Sequence, residues 1–169
     1  MRPFRQYFAP RFYGLEAYDH ERPAPLISNH TVYGLTDGFF TGAELYEKYG
    51  LFVRALVDKM HYEMPIWKNM VQNLGFIPGS REVCLKLMEA GEPIMVYPGG
   101  TREAFKHTQE AYKLTWKKRP GFAKMAILRG YDIIPVAGVG GEEMFDIVFD
   151  SDDVMKSPFG KFQKLTGIA

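Results

Sequence analysis

Short apolar runs alternate along the chain with stretches of helical periodicity. Consecutive apolar residues predict three strands, at 26–28, 93–97 and 133–137. The last two runs carry almost no polar position, so we expect them to be covered on both faces of a sheet. Between the first two runs, one mostly helical pattern extends from Gly42 to about Asn73, with a break at Pro65.

Two further helices have recognisable ends. Ser80 is a suitable N-cap for a helix that Gly91 ends, and a second helix begins at Pro120 and ends at Gly130. The apolar faces expected to be buried are Val83, Cys84, Leu87 and Met88 on the first helix, and Phe122, Ala123, Ala126 and Ile127 on the second. Strand and helix in alternation predict a single α/β domain over residues 1–169, with a central, largely parallel or mixed sheet flanked by helices.

Composition narrows the class of protein. The chain has 169 residues, of which 46% are hydrophobic and 24% charged, which is typical of one globular domain. A net charge of +1 argues against a nucleic-acid partner, and a single cysteine excludes an internal disulfide or a zinc-thiolate site. No apolar run reaches the roughly 18 residues of a membrane span. We therefore expect a cytoplasmic protein, either soluble or peripheral on a membrane.

The N-terminal arm, residues 1–13, combines cations with aromatic rings. It contains Arg2, Phe4, Arg5, Tyr7, Phe8, Arg11, Phe12 and Tyr13 and no acidic residue. This composition is typical of a membrane-interface segment, because guanidinium groups pair with lipid phosphates while rings lie at headgroup level. Pro3 and Pro10 prevent one long amphipathic helix. An arm that simply packs on the domain is the alternative, and the sequence leaves both open.

Polar motifs follow the predicted strands. His30 follows the first strand, and a neutral imidazole oriented by a carboxylate can take a proton from a hydroxyl near pH 7. The second strand leads into a glycine-rich turn, where Gly99 and Gly100 permit close backbone approach and Arg102 offers a planar fork for phosphate or carboxylate. Arg81 stands at the start of a helix. Each motif alone also fits a purely structural turn.

The order of the motifs is more specific than any one of them. Residues 29–30 (NH), the stretch from Gly75 to Arg81, YPGGTRE at 97–103 and IIPV at 133–136 together resemble the glycerolipid and lysophospholipid acyltransferase superfamily. PGGTREA at 98–104, in place of PEGTR, resembles the type-2 diacylglycerol acyltransferase-like branch and its bacterial relatives. The resemblance extends from about Gly14 to Glu143. It implies the α/β fold of that superfamily, which continues beyond the fourth motif, so we expect part of the family domain to lie outside this chain.

The resemblance also implies a reaction and a site. The reaction is acyl transfer from a thioester, usually acyl-CoA as co-substrate, to a hydroxyl of a lipid acceptor, with no metal and no tightly bound cofactor. His30 takes the position of the general base. The substrate-binding positions are Asn29, Gly79, Ser80, Arg81, Gly99, Gly100, Thr101, Arg102 and Pro135.

One departure from the family concerns the carboxylate that would orient His30. The family spacing is H-x4-D, but that position holds Leu35, and the first carboxylate is Asp37. A wider turn through Gly34 would return Asp37 to the imidazole, and Glu103 is the alternative. We favour Asp37. The altered spacing also leaves room for a catalytically silent lipid-binding paralogue, and water in place of the acceptor would make the protein a thioester or ester hydrolase.

The third motif bears on the acceptor. Glu103 stands next to Arg102 and would partly neutralise it, which favours a neutral acceptor such as a monoacylglycerol, diacylglycerol or fatty alcohol over lysophosphatidate. Such acceptors lie in a bilayer, so we expect docking on the membrane surface through the N-terminal arm and the aromatic residues Tyr33, Phe39 and Phe40.

Overall fold

The structure is a computed structural model that describes residues 2–22, 24–31, 36–116 and 119–144. The helices are α1 (Arg2–Phe8), α2 (Asp37–Tyr49), α3 (Met60–Glu63), α4 (Pro65–Asn73), α5 (Arg81–Glu89), α6 (Gly100–Ala104) and α7 (Gly121–Arg129), with short 3-10 turns at Leu15–Ala17 and Thr108–Glu110. The strands are β1 (Leu26–Ser28), β2 (Arg54–Val57), β3 (Ile77–Pro78), β4 (Ile94–Val96) and β5 (Ile134–Val136). Tyr33, Gly34, Leu35 and residues 145–169 lie outside the described residues.

One parallel sheet organises these elements, in the order β3-β2-β4-β1-β5. Strand β1 lies between β4 and β5, with Leu26 in register with both Met95 and Ile134. Because every recorded pairing is parallel, the carboxyl ends of all five strands meet at one edge of the sheet. The predicted α/β fold with a central parallel sheet flanked by helices is therefore confirmed.

The core divides between the two faces of the sheet. Met95 belongs to one buried cluster, with Leu26, Leu45 and Ala55. Its neighbour Ile94 belongs to a second cluster, formed by Cys84, Met88, Ile94 and Met125. Successive residues of a strand point to opposite faces, so the two clusters lie on opposite sides of β4. The buried Cys84 thiol belongs to this packing, as the apolar stripe of its helix predicted.

The long helical pattern predicted for residues 42–73 is wrong in its middle. Helix α2 ends at Gly50, which adopts the left-handed conformation at φ 69°, and the chain then forms strand β2. Gly50 is a residue that commonly ends a helix, but the apolar spacing on either side of it obscured this. The short apolar run around Ala55 fits both a helical and a strand period. The two-residue strand β3 also escaped prediction, because Ile77–Pro78 is too short to show a period.

Two burial predictions also need correction. Ile127 on α7 is 80% exposed, while Met125 and Ala126 form the buried face of that helix. Strand β5 was expected to be covered on both faces, but Pro135 is exposed. Among the described strands, β5 is outermost and pairs only with β1, so less of the described chain covers it.

The N-terminal arm packs on α2. Arg5 forms ion pairs with Glu44 at 2.8 Å and Glu47 at 3.1 Å, and the ring of Phe8 meets that of Phe40 at 5.6 Å between centroids. Phe40 is buried, so it is not a docking residue, whereas Tyr7 is 83% exposed. Within the described ranges, no helix has both the length and the apolar character needed to cross a membrane.

Candidate active site

Three strand ends meet at the carboxyl edge of the sheet. His30 follows β1, the turn that begins at Tyr97 follows β4, and Gly138 follows β5. Because β1 lies between the other two strands, His30 has neighbours on both sides. The carboxyl edge of a parallel sheet is where α/β proteins bind ligands.

Asn29 ties the end of β1 to the end of β5. Its side-chain amide donates to the carbonyl oxygen of Gly138 at 2.9 Å, and its Oδ1 accepts the Gly138 N–H at 2.7 Å. Both ends of the amide are used by this pair of bonds. Asn29 therefore holds the turn that carries His30.

Glu103 fixes the main chain of His30. Its Oε2 accepts the His30 N–H at 3.0 Å, and its Oε1 accepts the Thr115 N–H at 3.1 Å. The side chain is fully buried and lies where a Cβ on Gly99 would be, so only glycine fits at that position of the turn. The glycine at position 99 thus leaves room for a carboxylate beside the main chain of His30.

Asp37 fixes the main chain of Thr31, the residue after His30. It begins helix α2, and its Oδ2 accepts the Thr31 N–H at 3.1 Å. Its Oδ1 is buried and has no hydrogen-bond partner among the described residues. Gly138 closes over it, since a Cβ there would stand 3.3 Å from the Asp37 Cβ. The shifted spacing therefore still brings Asp37 to the site.

The imidazole of His30 itself lies against the ring of Tyr97 in a tilted arrangement. The ring centroids are 4.5 Å apart at an interplanar angle of 32°. In the described part of the chain, His30 Nδ1 is buried without a hydrogen-bond partner. Both carboxylates thus bond to the main chain beside the imidazole, Glu103 at His30 itself and Asp37 at Thr31.

The surroundings favour a neutral imidazole. Burial lowers the pKa of His30 below its ordinary value of 6.5, against the opposing effect of the nearby Asp37 and Glu103 carboxylates. A base must be unprotonated to accept a proton, so this environment suits the role. Burial also raises the pKa of Tyr97 well above 10.0, and its hydroxyl donates to the Met95 sulfur at 2.9 Å.

Arg102 has a partner other than the one expected. Its guanidinium binds both oxygens of Glu110, at 3.0 and 2.8 Å, and this hydrogen bond lowers the pKa of Glu110. We expected Glu103 to neutralise Arg102, but both oxygens of Glu103 accept backbone N–H groups. Glu110 lies eight residues further along, and no spacing rule indicated it.

A second arginine, missed by the sequence motifs, holds the glycine-rich turn. Arg119 Nη1 donates to the carbonyl oxygens of Pro98 at 3.3 Å and Gly99 at 3.2 Å. Gly100 stands at φ 56°, a left-handed conformation that favours glycine. Thr101, the next residue of the motif, is exposed at the start of α6.

The remaining predicted residues lie elsewhere on the sheet. Gly79, Ser80 and Arg81 follow β3, which β2 and β4 separate from β1. The Gly79 N–H donates to Val57 O at 2.8 Å, and Ser80 caps α5 by accepting the Val83 N–H at 3.2 Å. The structure therefore groups His30, Asp37 and Glu103 with the glycine-rich turn. The 79–81 motif follows β3, which is three strands away from β1 in the sheet. The ranges described contain no cluster of His, Cys, Asp and Glu side chains fit to hold a metal ion.

Comparison with known proteins adds a family. The family model described as Acyltransferase matches residues 9–139. The chain is 29% identical over 151 residues to phytyl ester synthase 1, chloroplastic, of Arabidopsis thaliana, covering 86% of this chain and 21% of that protein. It is 30% identical over 124 residues to the "DGAT1/2-independent enzyme synthesizing storage lipids" of Bos taurus, covering 73% of this chain and 36% of that protein.

A third relative is diacylglycerol O-acyltransferase 2 of Dictyostelium discoideum, 28% identical over 123 residues, which are 71% of this chain and 37% of that protein. The chain thus spans only about a fifth to two fifths of the length of these relatives. No solved structure matches it significantly.

Proposed function

The chain belongs to the acyltransferase family, and from this premise we propose that it moves a fatty acyl group from acyl-CoA, or a similar thioester, to a hydroxyl of a lipid acceptor. The observation that supports this best is the partly buried His30 imidazole, whose pKa is lowered, at the carboxyl edge of the sheet beside a glycine-rich turn. A neutral base in such a place suits the deprotonation of a hydroxyl.

The chemistry needs no covalent enzyme intermediate. His30 takes the proton of the acceptor hydroxyl while the hydroxyl oxygen forms a bond to the thioester carbonyl carbon. The tetrahedral oxyanion then collapses, the carbon–sulfur bond breaks, and the imidazolium returns the proton to the leaving thiolate. Backbone N–H groups of the glycine-rich turn are the proposed oxyanion donors. The Gly100 N–H already donates to Tyr97 O at 3.0 Å, so we assign the oxyanion role to the N–H groups of its neighbours Gly99 and Thr101.

A neutral acceptor follows from the charge balance at the turn. The Arg102 guanidinium donates two hydrogen bonds to Glu110, and the negative charge of Glu110 weakens the attraction of Arg102 for a phosphate monoester. The names of the relatives, which mention phytyl esters and diacylglycerol, agree with a neutral hydroxyl acceptor. We therefore propose a monoacylglycerol, a diacylglycerol or a long-chain alcohol, in preference to lysophosphatidate.

A product screen tests this proposal. Acyl-CoA is offered with glycerol-3-phosphate, lysophosphatidate, monoacylglycerol, diacylglycerol and a long-chain alcohol, and products are identified by mass spectrometry. We expect esters of the neutral acceptors. Predominant acylation of lysophosphatidate would contradict the acceptor proposal alone. Free fatty acid as the sole product would indicate a hydrolase, and no turnover with any acceptor would favour a lipid-binding paralogue.

We propose that such a protein docks peripherally on a membrane through the outer face of α1. Phe4 is 58% and Tyr7 83% exposed there, while Arg5 is engaged by Glu44 and Glu47. Replacing Phe4 and Tyr7 with Ser should weaken sedimentation with anionic vesicles, because exposed rings insert at headgroup level. Tyr46→Ser, at another exposed aromatic residue, is the control. Equal binding by the double variant would place the docking surface elsewhere.

A further inference from the structure

A buried ion pair joins the end of α6 to the segment after β5. Lys106 follows α6 and is 1% exposed, and its ammonium pairs with Glu142, which lies beyond β5. The two side chains are only 2% and 5% exposed. Removing two charges from water costs several kcal/mol per ion, which their mutual attraction only partly offsets, so such a pair is weak support for stability alone. Its place in the molecule therefore calls for a functional reason.

The pair is connected to the residues that hold His30. The Lys106 N–H donates to the carbonyl oxygen of Glu103 at 3.3 Å. The carboxylate of the same Glu103 accepts the His30 N–H. Glu142 also accepts the N–H of Tyr112, a residue held at φ 60° in the left-handed region. The segment between α6 and Thr115, which supplies the second donor to Glu103, is thus anchored by the same pair.

We infer that Lys106, held by Glu142 and hydrogen-bonded through its main chain to Glu103, is a positioning residue whose buried positive charge adds to the effect of burial in keeping the His30 imidazole unprotonated. This inference rests on the proposed function, because only a general base needs a neutral imidazole.

The charges around His30 show what such a cation adds. Burial has the largest effect on the pKa of His30 and lowers it, the Asp37 and Glu103 carboxylates raise it, and the Lys106 ammonium lowers it further. Tyr97, the ring in contact with the imidazole, stays a neutral phenol because burial raises its pKa. Without Lys106, burial alone of these causes would oppose the two carboxylates. A larger fraction of His30 would then be protonated near neutral pH.

The test measures the ionisation of His30 directly, by NMR titration of the imidazole resonances. The His30→Asn variant identifies the His30 signal by its disappearance. In Lys106→Met the pKa of His30 should rise, while Lys106→Arg, which keeps the charge, should leave it near the value of the unmodified protein. Lys86→Met is the matched control: it removes a lysine that also pairs with a glutamate, Glu82, but on the exposed surface of α5.

A second variant covers the case in which Lys106→Met does not fold. Glu142→Gln removes the counter-charge and leaves the ammonium, so the pKa of His30 should fall. An unchanged His30 pKa in Lys106→Met, an equal change in Lys86→Met, or a rise in Glu142→Gln would overturn the inference. Because the readout needs no turnover, a shift in the expected direction in a protein inactive in the product screen would contradict the proposed function and leave the electrostatic coupling standing.

Discussion

The ends of β1 and β3 carry similar short polar motifs, yet the fold uses them differently. At the end of β1, buried polar groups join elements that are distant in the sequence, for example Asn29 with Gly138 and His30 with Glu103. At the end of β3, the Ser80 hydroxyl accepts the Val83 N–H of its own helix, and Arg81 is exposed with no ion pair in the described ranges. A central strand has neighbours on both sides, whereas β3 pairs with β2 alone among the described strands. Position in the sheet therefore decides which motif becomes a built site.

The comparison predicts that the largest effect of any single substitution falls on His30. His30→Ala should reduce acyl transfer on the order of 10²–10⁴-fold, because this is what general-base catalysis contributes. The rate is measured with the acceptor found in the product screen, and circular dichroism checks the fold. His20→Ala, which removes an exposed histidine stacked on Tyr49, is the control and should keep its rate. A folded, fully active His30→Ala protein would refute the catalytic assignment.

Glu103→Gln should give the next largest effect, on stability as well as on rate. Glu103 is fully buried and accepts two backbone N–H groups, and a glutamine amide would direct its own NH₂ at one of them. Leaving a buried donor unsatisfied costs about 1–3 kcal/mol. Urea denaturation should show this loss in the free energy of unfolding. Asp37→Asn is the comparison, since its one recorded bond, to the Thr31 N–H, can be kept by the amide oxygen. A larger loss in Asp37→Asn would reverse the ranking of the two carboxylates.

The fold and the site were not equally predictable from sequence. Strands β1 and β4 and helices α5 and α7 were marked by apolar runs and end signals that act over a few residues. Strand β2 was missed because a four-residue strand beside Gly50 shows too few positions to establish a period. The partners of the site depend on which strands become neighbours. The Arg102–Glu110 and Lys106–Glu142 pairs therefore appeared only in three dimensions.

Ser80→Ala sharpens the comparison on the β3 side, with a smaller and purely local effect. Its hydroxyl accepts the Val83 N–H at 3.2 Å as the N-cap of α5. Loss of such a cap destabilises by about 0.5–2 kcal/mol, which urea denaturation resolves. Ser80→Asn, which keeps a capping oxygen, should restore most of that stability. If Ser80→Asn were as unstable as Ser80→Ala, the hydroxyl would have a role other than capping.

Arg81 should show the smallest effect, and only when a ligand is present. Its side chain is exposed and makes no ion pair within the part of the chain described, so Arg81→Gln should change the free energy of unfolding by no more than about 0.5 kcal/mol.

If Arg81 binds the phosphates of acyl-CoA, the Arg81→Gln variant loses an exposed charge pair with the donor. Such a pair contributes about 0.2–1 kcal/mol, which corresponds to a rise in KM for the donor of at most about fivefold. Arg81→Lys should keep most of the affinity. Arg22→Gln, which removes another exposed arginine, one that pairs with Asp132 at 3.0 Å, is the control. Equal KM values for Arg81→Gln and Arg22→Gln would show that the β3 end takes no part in donor binding, and the difference between the two strand ends would then be complete.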